Sequence, residues 1–222
     1  MIYDHTHSWY FAKWKYSGNN RWNGAYYYSI EIVKNIIPNV KTDRSWVTVN
    51  IPYQNRVPQF DACAESHSIV FIHNNLHPEN YDWLSRYDDL VLVCGIPETM
   101  DKIKHLGTPI YLPLSVDVEY IKQFQRPKTK EIAFCGRKAK SGGHDFLPGT
   151  DFIHGMQRDK LLSVMAEYKK VYAVGRTALE AKVLSCEILP YDERFPDVSR
   201  WEVLDNSDAV KILQKKLDEI DK

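Results

Sequence analysis

The stretch "KVYAVGRTALEAKVLSCEILPYD", residues 170–192, decides the fold because it predicts a strand, a helix and a second strand in direct succession. "KVYAVG" and "EILPYD" are apolar runs typical of buried strands, and "TALEAKVLSC" between them is typical of a helix. A crossover of this kind joins neighbouring strands of a parallel sheet. The segment therefore predicts an α/β protein.

The same alternation extends along the chain. "SIVFIHNN" (68–75), "DLVLVCG" (89–95) and "EIAFCG" (131–136) predict further strands buried on both faces, and "PETMDKIKHLG" (97–107) predicts a helix between two of them. The polar stretch at 117–131 contains Pro127 and predicts a hinge, after which the pattern starts again.

From this pattern we expect two Rossmann-like parallel-sheet domains that face a central cleft. Their predicted bounds are residues 1–125 and 126–222. Residues 207–222 predict an amphipathic C-terminal helix, for which packing back across the hinge is an open alternative. Ser207 is in the right place to cap this helix.

Composition narrows the classes of function. Lys plus Arg and Asp plus Glu each total 29, so no excess of basic charge points to nucleic acid or an anionic membrane as the main partner. The four cysteines, Cys63, Cys94, Cys135 and Cys186, are far apart and form no Cys-x-x-Cys pair, which favours free thiols in a reducing compartment. There is no signal-peptide pattern and no apolar run of about 20 residues. We therefore expect a cytoplasmic protein.

Ligands of open parallel sheets bind outside the carboxyl ends of the strands. In the first predicted domain, Asp4, His5, His7 and His73 follow or end predicted strands. A histidine at such a position can act as a base or hydrogen-bond a substrate. Three ordinary surface-loop histidines, and an aspartate that only ends a strand, remain the alternative.

In the second predicted domain, "GRKAKSGG" (136–143) places a glycine and several cations directly after a strand. Backbone amides together with Arg137, Lys138 or Lys140 can approach an anionic oxygen there. The spacing matches neither a Walker P-loop nor Gly-x-Gly-x-x-Gly. Phosphate contact and a solvated turn both remain open.

The segment "GRTALEA" (175–181) has two interpretations. Thr177 and Glu180 are spaced as a capping box, in which each side chain takes an amide of the first helical turn. Alternatively, those amides and Arg176 bind a diphosphate while Glu180 hydrogen-bonds a vicinal diol such as a ribose.

Taken in order, these pieces resemble the GT-B glycosyltransferases, whose two Rossmann-like domains hold a nucleotide-sugar between them. "YLPLSVDVEYIKQF" (111–124) is similar to the end of that family's first domain, and "IAFCGRK" (132–138) to the opening strand of its donor domain. "TDFIHGMQRDKLLSVMAEYKKVYAVG" (150–175) follows the family's order of elements. "GRTALEAKVLSCEILPYD" (175–192) resembles its phosphate-binding helix start and return strand.

The resemblance implies a small bacterial or phage-type hexosyltransferase that uses a UDP-sugar as co-substrate and needs no metal or other cofactor. It implies that Glu180 holds the donor ribose, and that backbone near Ile153 and His154 meets the base. It places the diphosphate among the side chains or backbone of Arg137, Lys138, Lys140, Arg176, Thr177 and Ala178. Since a second acidic residue upstream of Glu180 has no counterpart, an inverting reaction with a first-domain His or Asp base is favoured.

The acceptor and the oligomeric state stay open. A hydroxyl on a polysaccharide, a protein, a small molecule or a modified DNA base would each fit, and no integral membrane contact is expected. Two other functions also remain: a non-catalytic nucleotide or nucleotide-sugar binding protein, and a structural protein with two α/β lobes. The resemblance implies that Glu180→Ala weakens UDP binding in a protein that is still folded.

Overall fold

The computed structural model describes residues 2–4, 31–49, 66–72, 82, 84–136, 142–193 and 197–222. In chain order, the strands are β1 (Ile2–Asp4), β2 (Ser45–Val49), β3 (Ser68–Ile72), β4 (Val91–Cys94), β5 (Thr108–Tyr111), β6 (Ser115–Val116), β7 (Lys130–Cys135), β8 (Asp151–Ile153), β9 (Tyr168–Tyr172), β10 (Glu187–Leu189) and β11 (Leu204–Asp205). The α-helices are α1 (Pro97–Ile103), α2 (Val118–Lys122), α3 (Arg158–Met165), α4 (Gly175–Val183) and α5 (Asn206–Ile220). The predicted α/β class with parallel sheets is confirmed.

The chain forms two compact units, and the first is built on a five-stranded parallel sheet. Its strands β1 to β5 lie side by side in chain order. Every residue of β3 and β4 is buried, as the apolar runs predict for strands inside a parallel sheet. Ile103 of α1 and Leu106 of the following turn join the core formed by Val70 and Leu92.

The C-terminal helix α5 belongs to this first unit and is amphipathic, as predicted. Ala209, Leu213 and Leu217 recur every four residues and are buried, so they form the apolar stripe of the helix. The helix packs against the helical turn Ile32–Ile36. It begins at Asn206, so Ser207 lies inside it rather than at its cap.

The second unit is built on a four-stranded parallel sheet whose strands are not in chain order. The order is β8, β7, β9, β10. Helix α3 connects β8 to β9, and α4 connects β9 to β10. The short strands β6 and β11 form a separate parallel pair in this unit.

The order of the strands explains how the two faces of this sheet are covered. The chain moves in one direction from β7 to β8 and in the opposite direction from β8 to β9 and β10. Because parallel crossovers are right-handed, the β7 to β8 connection crosses the face opposite to α3 and α4. Phe146 of that connection accordingly packs over Phe134 and Tyr172, with ring centroids 5.2 and 4.9 Å away.

The unit boundaries differ from the predicted domains of residues 1–125 and 126–222. The first unit ends at Leu114 and resumes at Asn206, whereas Ser115–Asp205 lies in the second. Residues 115 and 116 pair with β11, and α2 packs against α4, so the predicted hinge region is part of the second unit.

Among the described residues, no helix has the length and apolar character that crossing a membrane requires.

Candidate functional site

The carboxyl edge of the second sheet contains a reversal in strand order. From β7 the chain crosses one face of the sheet, and from β9 it crosses the other. Connections that separate in this way leave a crevice between the carboxyl ends of the two strands, which is where open α/β sheets bind ligands. The segments that follow these strands, beginning at Gly136 and at Ala173, therefore border the candidate site.

Helix α4 begins at this crevice with an unusual backbone conformation. Gly175, its first residue, has φ +56°, in the left-handed region that glycine enters without a steric penalty. Val174 before it is extended and makes no side-chain cap hydrogen bond. Gly175 and Thr177 are half-buried. Among the described residues outside its own helix and chain neighbours, no heavy atom lies within 4 Å of the position that a Cβ of Gly175 would take. On this side, the start of α4 is therefore not covered by any other described part of the chain.

The capping-box interpretation of Thr177 and Glu180 is wrong. A capping residue precedes the first turn, but α4 begins two residues before Thr177, which is therefore its third residue. Glu180 lies in the middle of the helix, and its carboxylate accepts hydrogen bonds from arginine side chains instead. Ala178 is fully buried, and a contact between its backbone and a diphosphate stays a prediction.

Glu180 contacts two arginines, Arg158 and Arg176, which we call the arginine pair. Its Oε1 atom accepts hydrogen bonds of 3.0 Å from Nε of Arg158 and 3.0 Å from Nε of Arg176. Glu180 is 4% exposed and Arg176 is 7% exposed. Arg158 is the first residue of α3 and Arg176 the second of α4, so the cluster joins the starts of two helices beside the crevice.

Arg158 is a candidate that the sequence prediction did not include. Tyr120 of α2 supports it: the guanidinium carbon lies 5.4 Å from the centroid of the Tyr120 ring, and the Tyr120 hydroxyl donates to Asp159 at 2.7 Å. A signal was present in the sequence, because both predicted helices of this unit carry an arginine near their start. Pairing of those arginines through Glu180 becomes visible only in three dimensions.

The two residues predicted to lie near a nucleotide base sit at the end of β8. Ile153 is buried, and its carbonyl accepts a hydrogen bond of 3.2 Å from the amide of Gly136. His154 follows it and is exposed. Both are at the carboxyl edge, on the side of β7 that faces away from β9.

Most of the remaining predicted site residues lie outside the described part of the chain. Arg137, Lys138, Lys140, His5, His7 and His73 lie outside the described residues. Asp4 is the last residue of β1, where its backbone pairs with Thr48, so it stands at the carboxyl edge of the first sheet.

The thiols of the second unit are unsuited to nucleophilic chemistry. Cys135 ends β7 at the carboxyl edge, and burial raises the pKa of its thiol far above the ordinary value. Burial also raises the pKa of Cys186. Since the thiolate is the reactive form, the raised pKa values disfavour nucleophilic chemistry at both thiols. With Cys94, they are buried and free, as predicted, whereas Cys63 lies outside the described residues.

In the part of the chain that the structure describes, no three His, Cys, Asp or Glu side chains are grouped as metal ligands. A metal-independent reaction stays a prediction. Comparison of the chain with protein-family models, characterised proteins and solved structures gave no match.

Proposed function

We propose that the second unit binds the diphosphate of a nucleotide-sugar at the crevice between β7 and β9, and that the protein is a glycosyltransferase of the GT-B type. One observation carries the proposal. Helix α4 starts at the strand-order reversal, and its N-cap residue Val174 makes no side-chain hydrogen bond to the first turn. Among the described residues outside the helix and its flanking residue, no heavy atom lies within 4 Å of the position of a Gly175 Cβ. Backbone amides at such a helix start, together with the helix dipole, favour an anionic oxygen.

The arginine pair supports the same ligand chemistry. Arg158 and Arg176 bring two permanent positive charges to the starts of α3 and α4. A diphosphate that leaves a sugar carbon gains negative charge, and fixed cations beside it lower the barrier to that step. This provides a route for transfer that uses side chains and backbone alone.

The contacts of Glu180 favour a positioning role. Its carboxylate holds Nε of both arginines and so fixes the direction in which their guanidinium groups point. The ribose contact implied by the resemblance requires Glu180 to exchange one of these bonds, and it stays a prediction. In the proposed reaction, the sugar passes from a UDP-sugar to a hydroxyl acceptor, which is a polysaccharide, protein, small molecule or modified DNA base.

A binding experiment tests the proposal directly. UDP, GDP, uridine, UDP-glucose and GDP-mannose are compared by calorimetry and by thermal unfolding, since a ligand at 100 times its Kd stabilises the folded state by about 2.7 kcal/mol. We expect stabilisation by UDP-glucose and UDP and little by uridine. The absence of stabilisation by any nucleotide would overturn the proposal.

A matched pair of variants locates the site. Arg176→Lys keeps the charge but loses the planar geometry of the guanidinium, so UDP affinity is expected to fall about tenfold, with uridine affinity unchanged. Arg126→Lys changes an exposed arginine of the same unit, 3.9 Å from Glu167, and serves as the control. Slow hydrolysis of UDP-glucose separates a transferase from a protein that only binds the nucleotide-sugar.

A further inference from the structure

A second group of polar side chains lies at the carboxyl edge of the second sheet, and it involves neither Glu180 nor the arginine pair. Asp192 follows β10, and its side chain is 2% exposed. His144 lies in the β7 to β8 connection, with a side chain that is 22% exposed. Nε2 of His144 is 3.9 Å from Oδ2 of Asp192, which is ion-pair range but longer than a direct hydrogen bond.

Aromatic rings fix the position of this histidine. The Tyr191 ring meets the His144 ring edge to face, with centroids 5.2 Å apart and planes 88° apart. Phe146, two residues after His144, is packed into the core against Phe134 and Tyr172. The amide of Leu147 donates to the Tyr172 hydroxyl at 3.3 Å, so the connection is also anchored to the end of β9.

The distribution of burial between the two side chains has a chemical consequence. The carboxylate is the more deeply buried member and faces Nε2, which favours the tautomer that carries its proton on Nε2. Nδ1 then has a free lone pair and acts as a hydrogen-bond acceptor or a base. Enzymes orient a catalytic histidine with a carboxylate hydrogen-bonded to one ring nitrogen. Asp192 lies on the corresponding side of the His144 ring, at 3.9 Å and without a direct hydrogen bond.

We propose that Nδ1 of His144 accepts a hydrogen bond from a hydroxyl group of the bound substrates, and that Asp192 is the residue that positions the imidazole. This inference rests on the proposed function, because it takes the nucleotide-sugar to lie at the same edge of the sheet. The hydroxyl comes either from the donor sugar or from the acceptor.

The two possible origins of the hydroxyl, the donor sugar and the acceptor, imply different chemistry. A donor-sugar hydroxyl only binds, and no bond changes. An acceptor hydroxyl, or the water that replaces it in hydrolysis, gives its proton to Nδ1 while its oxygen bonds to the anomeric carbon. The bond from that carbon to the phosphate oxygen breaks, and its electron pair leaves with the nucleoside diphosphate.

The test compares His144→Gln with His105→Gln. His105 is the matched control because its Nε2 lies 3.8 Å from Asp82, but both side chains are exposed, at 62% and 66%. Affinities for UDP and UDP-glucose and the rate of UDP-glucose hydrolysis are measured for each variant. If the hydroxyl belongs to the donor sugar, His144→Gln lowers the affinity for UDP-glucose about tenfold and leaves the affinity for UDP unchanged. If it belongs to the acceptor, both affinities stay and the rate falls about 10²-fold or more.

Asp192→Asn separates positioning from structural support. Asparagine keeps the size of the side chain but permits the wrong tautomer of His144. Whichever falls in His144→Gln, the UDP-glucose affinity or the hydrolysis rate, should therefore also fall in Asp192→Asn, with UDP affinity retained. The inference is overturned if His144→Gln matches His105→Gln in both affinities and in rate. It is also overturned if His144→Gln lowers the affinities for UDP and UDP-glucose equally and lowers the melting temperature. Failure of the unaltered protein to bind UDP or UDP-glucose overturns the proposed function itself, and with it this inference.

Discussion

Glu180 accepts a hydrogen bond of 3.0 Å from Arg176, one turn earlier in helix α4, and both side chains are buried. Arg158, from another helix, donates to the same carboxylate oxygen. Glu180 is therefore a structural link between α3 and α4 as well as a candidate ligand contact. This changes the expectation that its removal leaves the fold intact.

Glu180→Gln is expected to lower the free energy of unfolding by about 3 kcal/mol. The substitution takes the negative charge away from one buried and one partly buried guanidinium group, and breaking a buried ion pair from one side typically costs about 3 to 5 kcal/mol. Urea unfolding measures the loss. Glu187→Gln is the control, because Glu187 pairs with Lys170 at 3.2 Å on the exposed surface and should cost about 0.5 kcal/mol or less. Equal losses in the two variants would contradict the structural role of Glu180.

Lys128→Met is expected to destabilise the second unit by about 2 kcal/mol. The ammonium group of Lys128 donates to the carbonyls of Ala166 and Leu184, at 2.8 and 2.7 Å, and to Sγ of Cys186 at 3.1 Å. Those two carbonyls lie at the C-terminal ends of α3 and α4, where a positive charge is favourable, and a hydrogen bond from a charged donor contributes about 1.5 to 3 kcal/mol.

The control for this substitution is Lys122→Met. Lys122 is exposed, and it pairs with Glu119 on the same helix at 2.9 Å. Such surface pairs contribute about 0.5 kcal/mol or less. Chemical denaturation of both variants gives the comparison, and a Lys128→Met protein as stable as Lys122→Met would show that the three contacts contribute little.

The sheets could be predicted from the sequence because their strands are buried on both faces and therefore form continuous apolar runs. The apolar runs at Ser68–Ile72 and Val91–Cys94 are short and rich in β-branched residues, which favours a buried strand over a buried helix segment. The start of α4 was misplaced by two residues, because Gly175 adopts a left-handed conformation that propensity does not reveal. The arginine pair was missed since Arg158 and Glu180 are 22 positions apart and meet only through the packing of α3 on α4.

The contribution of His67 to stability is expected to decrease as the pH rises. Nδ1 of His67 is 2.5 Å from Oδ2 of Asp89, and Nε2 is 3.1 Å from Oδ1 of Asp43. The hydrogen bond to Asp89 and then that to Asp43 raise the pKa of His67 above 6.5, while partial desolvation and the neighbouring Arg44 oppose the shift. A raised pKa in the folded state means that stabilisation is complete below pH 6.5 and is lost as the pH passes through the raised pKa.

His67→Asn tests this pH dependence without adding backbone strain. His67 has φ +59°, and asparagine tolerates that conformation better than most residues. The difference in unfolding free energy between the unaltered protein and His67→Asn should be larger at about pH 5.5 than at about pH 8.5. His105→Asn provides the comparison for an exposed histidine with one carboxylate 3.8 Å away. A difference that stays constant or grows with pH would contradict the prediction.

Gly175→Ala is expected to lower the free energy of unfolding by about 1 kcal/mol through backbone strain alone. Gly175 has φ +56°, and an L-residue in that region costs about 1 to 2 kcal/mol. No described residue outside its own helix and chain neighbours has a heavy atom within 4 Å of the position that its Cβ would take, so we expect no steric clash to add to the loss. Gly142→Ala is the matched control: its Cβ would also meet no described heavy atom within 4 Å beyond its chain neighbours, and its φ is outside the left-handed region. Chemical denaturation should therefore show a loss for Gly175→Ala and none for Gly142→Ala, and equal stabilities would mean that α4 does not need its left-handed start.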